Sequence, residues 1–384
     1  MRRTAALLII LAVAAPAGAH HTGTPAVVLL TSSGDDNTLP RLPAFGSTVG
    51  LALGSGPAVY SVKLFQQPPV LKLISSSGST SNPAAAATAA IAFDSDGDPL
   101  GSGDPGHQIF IGVGGALQQV THDPSGTSRN PALSDTATRL TFESAGNLTG
   151  GGMVGIQQIY FRDANGGLVQ VSRGQGTSSN SSLSRTGSLI VFQSTSDPAN
   201  GNDTGISQIW LSSTDPSSAH AVTAGHGPSR NPLIATGGRM VVFESDADLA
   251  NGGADTGVPQ VFAYDTVTGN FAQVTQETNG CTGPTARKHS GDWRIAFTCN
   301  GEAFYHELRA DRRLRLPIQG GNTSRAVTGI GYYFLTVSTT ANLLSSGTTS
   351  GHEIYLLNLF KRPADLVSGK NVVWFPARGL SPVH

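Results

Sequence analysis

Two runs of acidic side chains on alternate positions, Asp94, Asp96 and Asp98, then Glu244, Asp246 and Asp248, are the first residues here that could do chemistry. Hard cations take oxygen ligands, and carboxylates two apart on an extended chain share a face, so both runs are candidate calcium sites. Neither run continues into a helix–loop–helix with a distal glutamate, which excludes an EF-hand. Calcium is therefore the one candidate cofactor; otherwise none is expected. A competing reading comes from recurrence. Asp or Asn stands five positions beyond a repeated apolar residue at Asp98, Asn147, Asp197, Asp248 and Asn342, with Ser or Thr at Ser95, Ser144, Ser194, Ser245 and Thr339. A group that recurs this evenly reads as a turn-former, its side chain accepting backbone N–H bonds in a loop.

Arg129, Arg230 and Arg325 also occupy one repeated position, in the sequence Ser-Arg at three places. Guanidinium groups gathered around one axis would suit a carboxylate or phosphate, which makes these three the candidate binding residues for a small anionic ligand. The alternative is that each pairs with a neighbouring acid or lies in solvent. A nucleophile elbow, Gly-x-Ser-x-Gly, is missing, and Gly54-Ser55-Gly56 lacks its spacing, so serine hydrolysis is not expected.

The two cysteines, Cys281 and Cys299, lie symmetrically about His289-Ser290-Gly291-Asp292, which reads as a hairpin turn. Residues symmetric about such a turn face each other, so a disulfide across one hairpin is expected in an exported protein, with two unpaired thiols as the alternative. A zinc site would need further ligands at suitable spacing.

The elements that must position these groups follow from a repeat. Phe93, Phe142, Phe192 and Phe243 lie 49, 50 and 51 residues apart. Asn82, Asn130, Asn180 and Asn231 precede them by 11 or 12 residues. Gln-apolar-aromatic follows each at Gln108-Ile109-Phe110, Gln158-Ile159-Tyr160, Gln208-Ile209-Trp210 and Gln260-Val261-Phe262, and a closing strand ends in Gln119-Val120-Thr121, Gln170-Val171-Ser172, Ala221-Val222-Thr223 and Gln273-Val274-Thr275. A period near 50 with about four short strands per unit predicts an all-β fold, a β-propeller of about seven four-stranded blades, with six as the alternative. Clear copies run over 77–370, and 31–76 is a degenerate first blade whose last strands are expected at 49–53, 58–62 and 70–74. Strand candidates at 27–30 and 371–375 could help close the ring. The recurring phenylalanine is the expected blade-to-blade packing residue.

Composition agrees. Charged residues make up 13%, glycine 48 of 384, and the net charge is −1, which leaves no basic face for nucleic acid. Met1-Arg2-Arg3, an apolar run and Ala17-Gly18-Ala19 predict a signal peptide over 1–19, followed by one propeller domain over 20–384. No later segment is apolar for long enough to insert in a membrane. The expected location is periplasmic or extracellular, and the expected state a monomer.

Ser-Arg-Asn-Pro, Phe-Glu-Ser-x-x-Asp/Asn-Leu and Gln-Ile-Tyr resemble the TolB-like, WD-repeat-like β-propeller family of bacterial exported proteins, over about 77–370. The resemblance implies association with envelope assemblies through protein–protein contacts. Related propellers also cap the active sites of serine peptidases and form some polysaccharide lyases, but here only about a dozen residues follow 370. The expected function is thus a non-catalytic exported module that binds or scaffolds a protein partner. Its expected surface is the rim where loops 94–107, 143–157, 193–207 and 244–259 converge. The alternative is a polysaccharide- or glycoside-processing lyase or hydrolase on the same face, with a polysaccharide as ligand; such an enzyme needs a concentrated acid–base set.

Overall fold

The computed structural model describes residues 78–316 apart from 151–153, 199–200, 236 and 290, together with residues 318 and 340 and the strands named below. The expected signal peptide, Asn342 and the side chain of Arg325 lie outside the described residues.

Seven antiparallel sheets follow one another along the chain. Blade 1 holds Leu39–Arg41, Thr48–Leu53, Ala58–Lys63 and Leu71–Ser75, and blade 2 Thr80–Ala85, Ile91–Ser95, Gln108–Val113 and Ala116–Gln119. Blade 3 holds Arg129–Leu133, Leu140–Ser144, Gln158–Arg162 and Leu168–Gln170. Blade 4 follows with Ser178–Leu183, Leu189–Ser196, Asp203–Ser213 and His220–Ala221, and blade 5 with Ser229–Ile234, Met240–Ala247, Asp255–Asp265 and Phe271–Gln273. Blade 6 comprises Thr282–His289, Asp292–Cys299, Glu302–Glu307 and Arg312–Arg315, with Trp374–Pro376 added as a fifth, outer strand. Blade 7 comprises Thr323–Gly329, Phe334–Thr339 and Glu353–Asn358, and Val27–Leu29 supplies its fourth strand. The first strand of each blade contacts the first strand of the next, and blade 1 contacts blade 7, so the ring closes. The two end segments therefore have different roles: 27–29 completes the last blade, while 374–376 extends the sixth.

Second strands are buried along their whole length in blades 2 and 3, because each blade is covered on both faces by its neighbours. The repeated phenylalanines fill these seams. Phe93 packs with Val59 of the preceding blade, Phe142 with Ile109, Phe192 with Ile159, Phe243 with Val191 and Phe297 with Val261. Within a blade, most of these rings stack on the aromatic of the third strand, as in Phe142 on Tyr160 at 5.6 Å.

The Gln-apolar-aromatic motif is explained by a buried staple. In blade 3, Gln158 Nε2 donates to the Gly176 carbonyl at 3.2 Å, its Oε1 accepts from Ser172 Oγ at 2.8 Å, and Ser172 Oγ accepts from Ile159 N at 2.8 Å. Gln108 with Thr121, Gln208 with Thr223 and Gln260 with Thr275 repeat it. Each staple satisfies polar groups that a buried strand end would otherwise leave unpaired. The helical content described is one 3-10 turn, Pro216–Ser218, and no described helix is long and apolar enough to cross a membrane.

Candidate functional site

The Ser-Arg-Asn-Pro motif builds the centre of the ring. Asparagine tolerates the left-handed region and proline cannot donate to a ladder, so Asn-Pro marks a bulge in blades 2, 3 and 5, and Asn180, followed by Ser181, makes the same bend in blade 4 without the proline. Asn82, Asn130, Asn180 and Asn231 have φ of 49°, 51°, 52° and 53°, and the register of each first strand shifts there. In blade 6 Gly283 takes the same place at φ 65°. The four asparagine side chains line a central cavity of about 680 Å³.

Behind them stands a second ring, formed by the residue that follows each phenylalanine: Asp94, Glu143, Gln193 and Glu244. Each ties its own blade to the next by one rule. Its side-chain oxygen accepts from its own blade's asparagine Nδ2: Asn82 to Asp94 at 3.0 Å, Asn130 to Glu143 at 2.9 Å, Asn180 to Gln193 at 3.2 Å and Asn231 to Glu244 at 3.1 Å. It also accepts the backbone N–H at the same position of the following blade: Asn130 N to Asp94 at 3.2 Å, Asn180 N to Glu143 at 2.6 Å, Asn231 N to Gln193 at 2.7 Å and Gly283 N to Glu244 at 2.8 Å. A bulged N–H has no ladder partner, and these side chains provide one across the seam.

Three members of this ring are carboxyls in nearly dry surroundings. Burial pushes Glu143, which is 1% exposed, up from 4.5 to about 7. Hydrogen bonds from Asn130 and Asn180 N oppose that rise, and the nearby charge of Asp94 adds to it. Gln157 Nε2 also donates to Glu143. Asp94 has His107 Nδ1 at 3.2 Å as a further partner.

The six acids considered for calcium are distributed over separate bonds. Asp94 and Glu244 belong to the seam ring. Asp96 accepts Ser79 N at 2.5 Å and faces His107, and Asp246 holds Arg230. Asp98 accepts Gly103 N at 2.7 Å and Ser102 N at 2.8 Å, and these backbone bonds hold its carboxyl below the usual carboxylate range. Asp248 accepts Asn251 N at 3.1 Å. Among the described residues no three His, Cys, Asp or Glu side chains gather as a metal shell.

Of the arginines, Arg230 donates to Asp246 at 2.5 Å and lies 3.6 Å from Glu244. Arg129 is exposed, opposite Glu143 in register. Neither is among the described residues lining the cavity, whereas their neighbours Asn130 and Asn231 are. Arg325 holds the same register position, opposite Ser338. Cys281 and Cys299 form a disulfide, S–S 2.02 Å, across the first hairpin of blade 6. The four asparagines mark the repeat in the sequence, but their place as cavity wall, and the roles of Glu143 and Gln193, were not read there. The signal was an Asp, Glu or Gln directly after each of the four phenylalanines.

No protein-family model matches the chain, and no curated protein is significantly similar to it. Solved structures are similar. The β-propeller domain of the Trilobed protease from Pyrococcus furiosus superposes with a TM-score of 0.56 at 10% identity, covering 84% of this chain and 95% of that one. That domain is described as having an open velcro topology, whereas here Val27–Leu29 pairs with Glu353–Asn358. The Cps50 (Swd1) β-propeller domain from Myceliophteria thermophila gives 0.56 at 8% identity, over 86% of this chain and 99% of that one. A putative TolB from Agrobacterium tumefaciens gives 0.47 at 19% identity, over 64% and 82%. What the first two similarities establish is the fold, a β-propeller.

Proposed function

We propose that this chain is a non-catalytic, exported β-propeller that acts by binding, as a recognition or scaffolding module for a protein partner in the periplasm or outside the cell. The observation that carries this reading is the fate of the inner acids: each is committed to a bond that joins two blades. A catalytic acid or base must reach a substrate proton. Asp94, Glu143 and Glu244 are almost fully buried and hydrogen-bonded across the seams. What the rim offers instead is the polar loops around Asp98, Asp203 and Asp248, braced by their own hydrogen bonds and therefore preorganised for contact.

The test is affinity capture from envelope and culture-medium extracts, with the protein and a variant altered in the loop around Asp248 as paired baits. A stoichiometric protein held by the first and lost by the second is the expected result. Nothing above background with either bait would overturn the protein-partner reading.

One observation favours glycan processing. Glu143, with its carboxyl near 7, has the titration of a general acid. Its burial and its bonds on both oxygens argue that this proton stays in the seam. Incubation with a soluble polysaccharide panel is expected to give neither reducing ends nor unsaturated products; either product would establish the alternative.

A further inference from the structure

We propose that His306 makes the outer edge of blade 6 an acid-released clasp: protonation of this buried imidazole frees strands Arg312–Arg315 and Trp374–Pro376 while the rest of the ring stays closed. The device belongs to the fold and does not depend on the partner proposed above. Its first support is burial without a bond. His306 is 0% exposed, and neither ring nitrogen has a hydrogen-bond partner among the described residues. A buried polar group left in this condition marks a weak point in the packing.

The second support is the charge beside it. His306 stands opposite Arg313 in the antiparallel ladder, so the two side chains share one face of the blade. The guanidinium is fixed while the blade is closed. Nη1 donates to Glu277 Oε1 at 2.8 Å, Nη2 donates to the Val274 carbonyl at 2.6 Å, and the group lies 5.4 Å from the centre of the Phe297 ring. An imidazolium would therefore form against a cation that has nowhere to go. The acids around it are committed or distant. Asp292 accepts Arg309 N at 2.6 Å and Ala310 N at 3.2 Å, Asp311 Oδ1 is 3.9 Å from Nε2, and Glu277 is taken by Arg313. Arg294, Glu307 and Arg312 pair on the opposite face, Arg309 is exposed, and 374–376 carries no charge. Burial first, then Arg313, accordingly pushes the imidazole down from 6.5 to about 4, with Asp292 opposing.

The third support is position. Arg312–Arg315 joins the blade through one ladder, to Glu302–Glu307, and carries on its other side only the three residues of 374–376. Peeling these two strands takes Arg313 away from His306 and admits water, while Asp292–Cys299 and its disulfide stay in place. The closed edge prefers the neutral imidazole. Its stability is thus full above about 6.5 and falls as pH drops towards about 4.

Amide hydrogen exchange of the whole protein at pH 6.5 and pH 4 tests this, with the intrinsic pH dependence of exchange divided out. Opening at 312–316 and 374–375 is expected to rise by up to about a hundredfold between the two, as the fall from 6.5 to about 4 permits. The second strands, around Phe142, Phe192 and Phe243, should keep their protection. His306→Gln and His306→Phe, neutral at both pH values, should show no such rise. Unchanged protection at the native edge, a loss shared by all blades, or an equal rise in either variant would each overturn the proposal. The native protein also reports alone, through the ring C–H resonances of His306: their titration should share its midpoint with the opening of the edge. An imidazole that titrates near 6.5 while the edge stays closed would overturn the proposal as well.

Discussion

Glu143→Gln is the substitution whose effect the inner ring defines most closely. The carboxyl titrates near 7 in the folded protein and near 4.5 when the chain is unfolded. Between those values the folded state holds the proton more tightly, so stability from this group is fully present below about 4.5 and falls as pH rises through about 7. At about 1.4 kcal/mol per unit, the loss approaches 3 kcal/mol by pH 8, an upper figure because the site can relax. Glutamine carries no such proton, and Gln193 already performs the same two acceptances one blade on, so the replacement fits the seam. The assay is thermal unfolding of both proteins at pH 5 and pH 8. Because about 0.8 kcal/mol is already lost at pH 5, the variant should gain on the native protein by at most about 5 °C between the two pH values, taking about 2 °C per kcal/mol for a large domain. A difference in melting temperature that is the same at both pH values would refute the reasoning, since it would mean that Glu143 ionises in the fold as easily as in water.

Two further expectations follow from the seams and from the disulfide. Phe192→Ala removes a fully buried ring packed between blades 3 and 4, and should cost about 3–5 kcal/mol in denaturant unfolding; a shift below about 1 kcal/mol would contradict its packing role. Reduction of Cys281–Cys299, or replacement of both by serine, opens a loop of 18 residues and should lower stability by about 3 kcal/mol, read as a drop in midpoint that reductant produces in the native protein but not in the double variant.

The sequence by itself determined the fold class and the strand order. Phe93, Phe142, Phe192 and Phe243 recur because the seams they fill take the same large apolar side chain, and the repeat of about 50 residues follows from a blade that cannot bury its faces alone. The asparagine repeat was visible too, but not that it bends each first strand, at Asn180-Ser181 as well as at Asn130-Pro131. Ring closure needed tertiary structure: 27–29 joins blade 7 across more than 300 residues, while 374–376 joins blade 6, and neither short run carries a sign of which blade it completes. The fate of the acids was also decided there. Asp94, Asp96 and Asp98 are equivalent as letters, yet the first is buried in a seam, the second faces a histidine and the third caps a loop. Alternation on a strand says which residues share a face, but the partner on that face comes from the next blade, about 50 residues away, and only the closed ring brings it within hydrogen-bond reach.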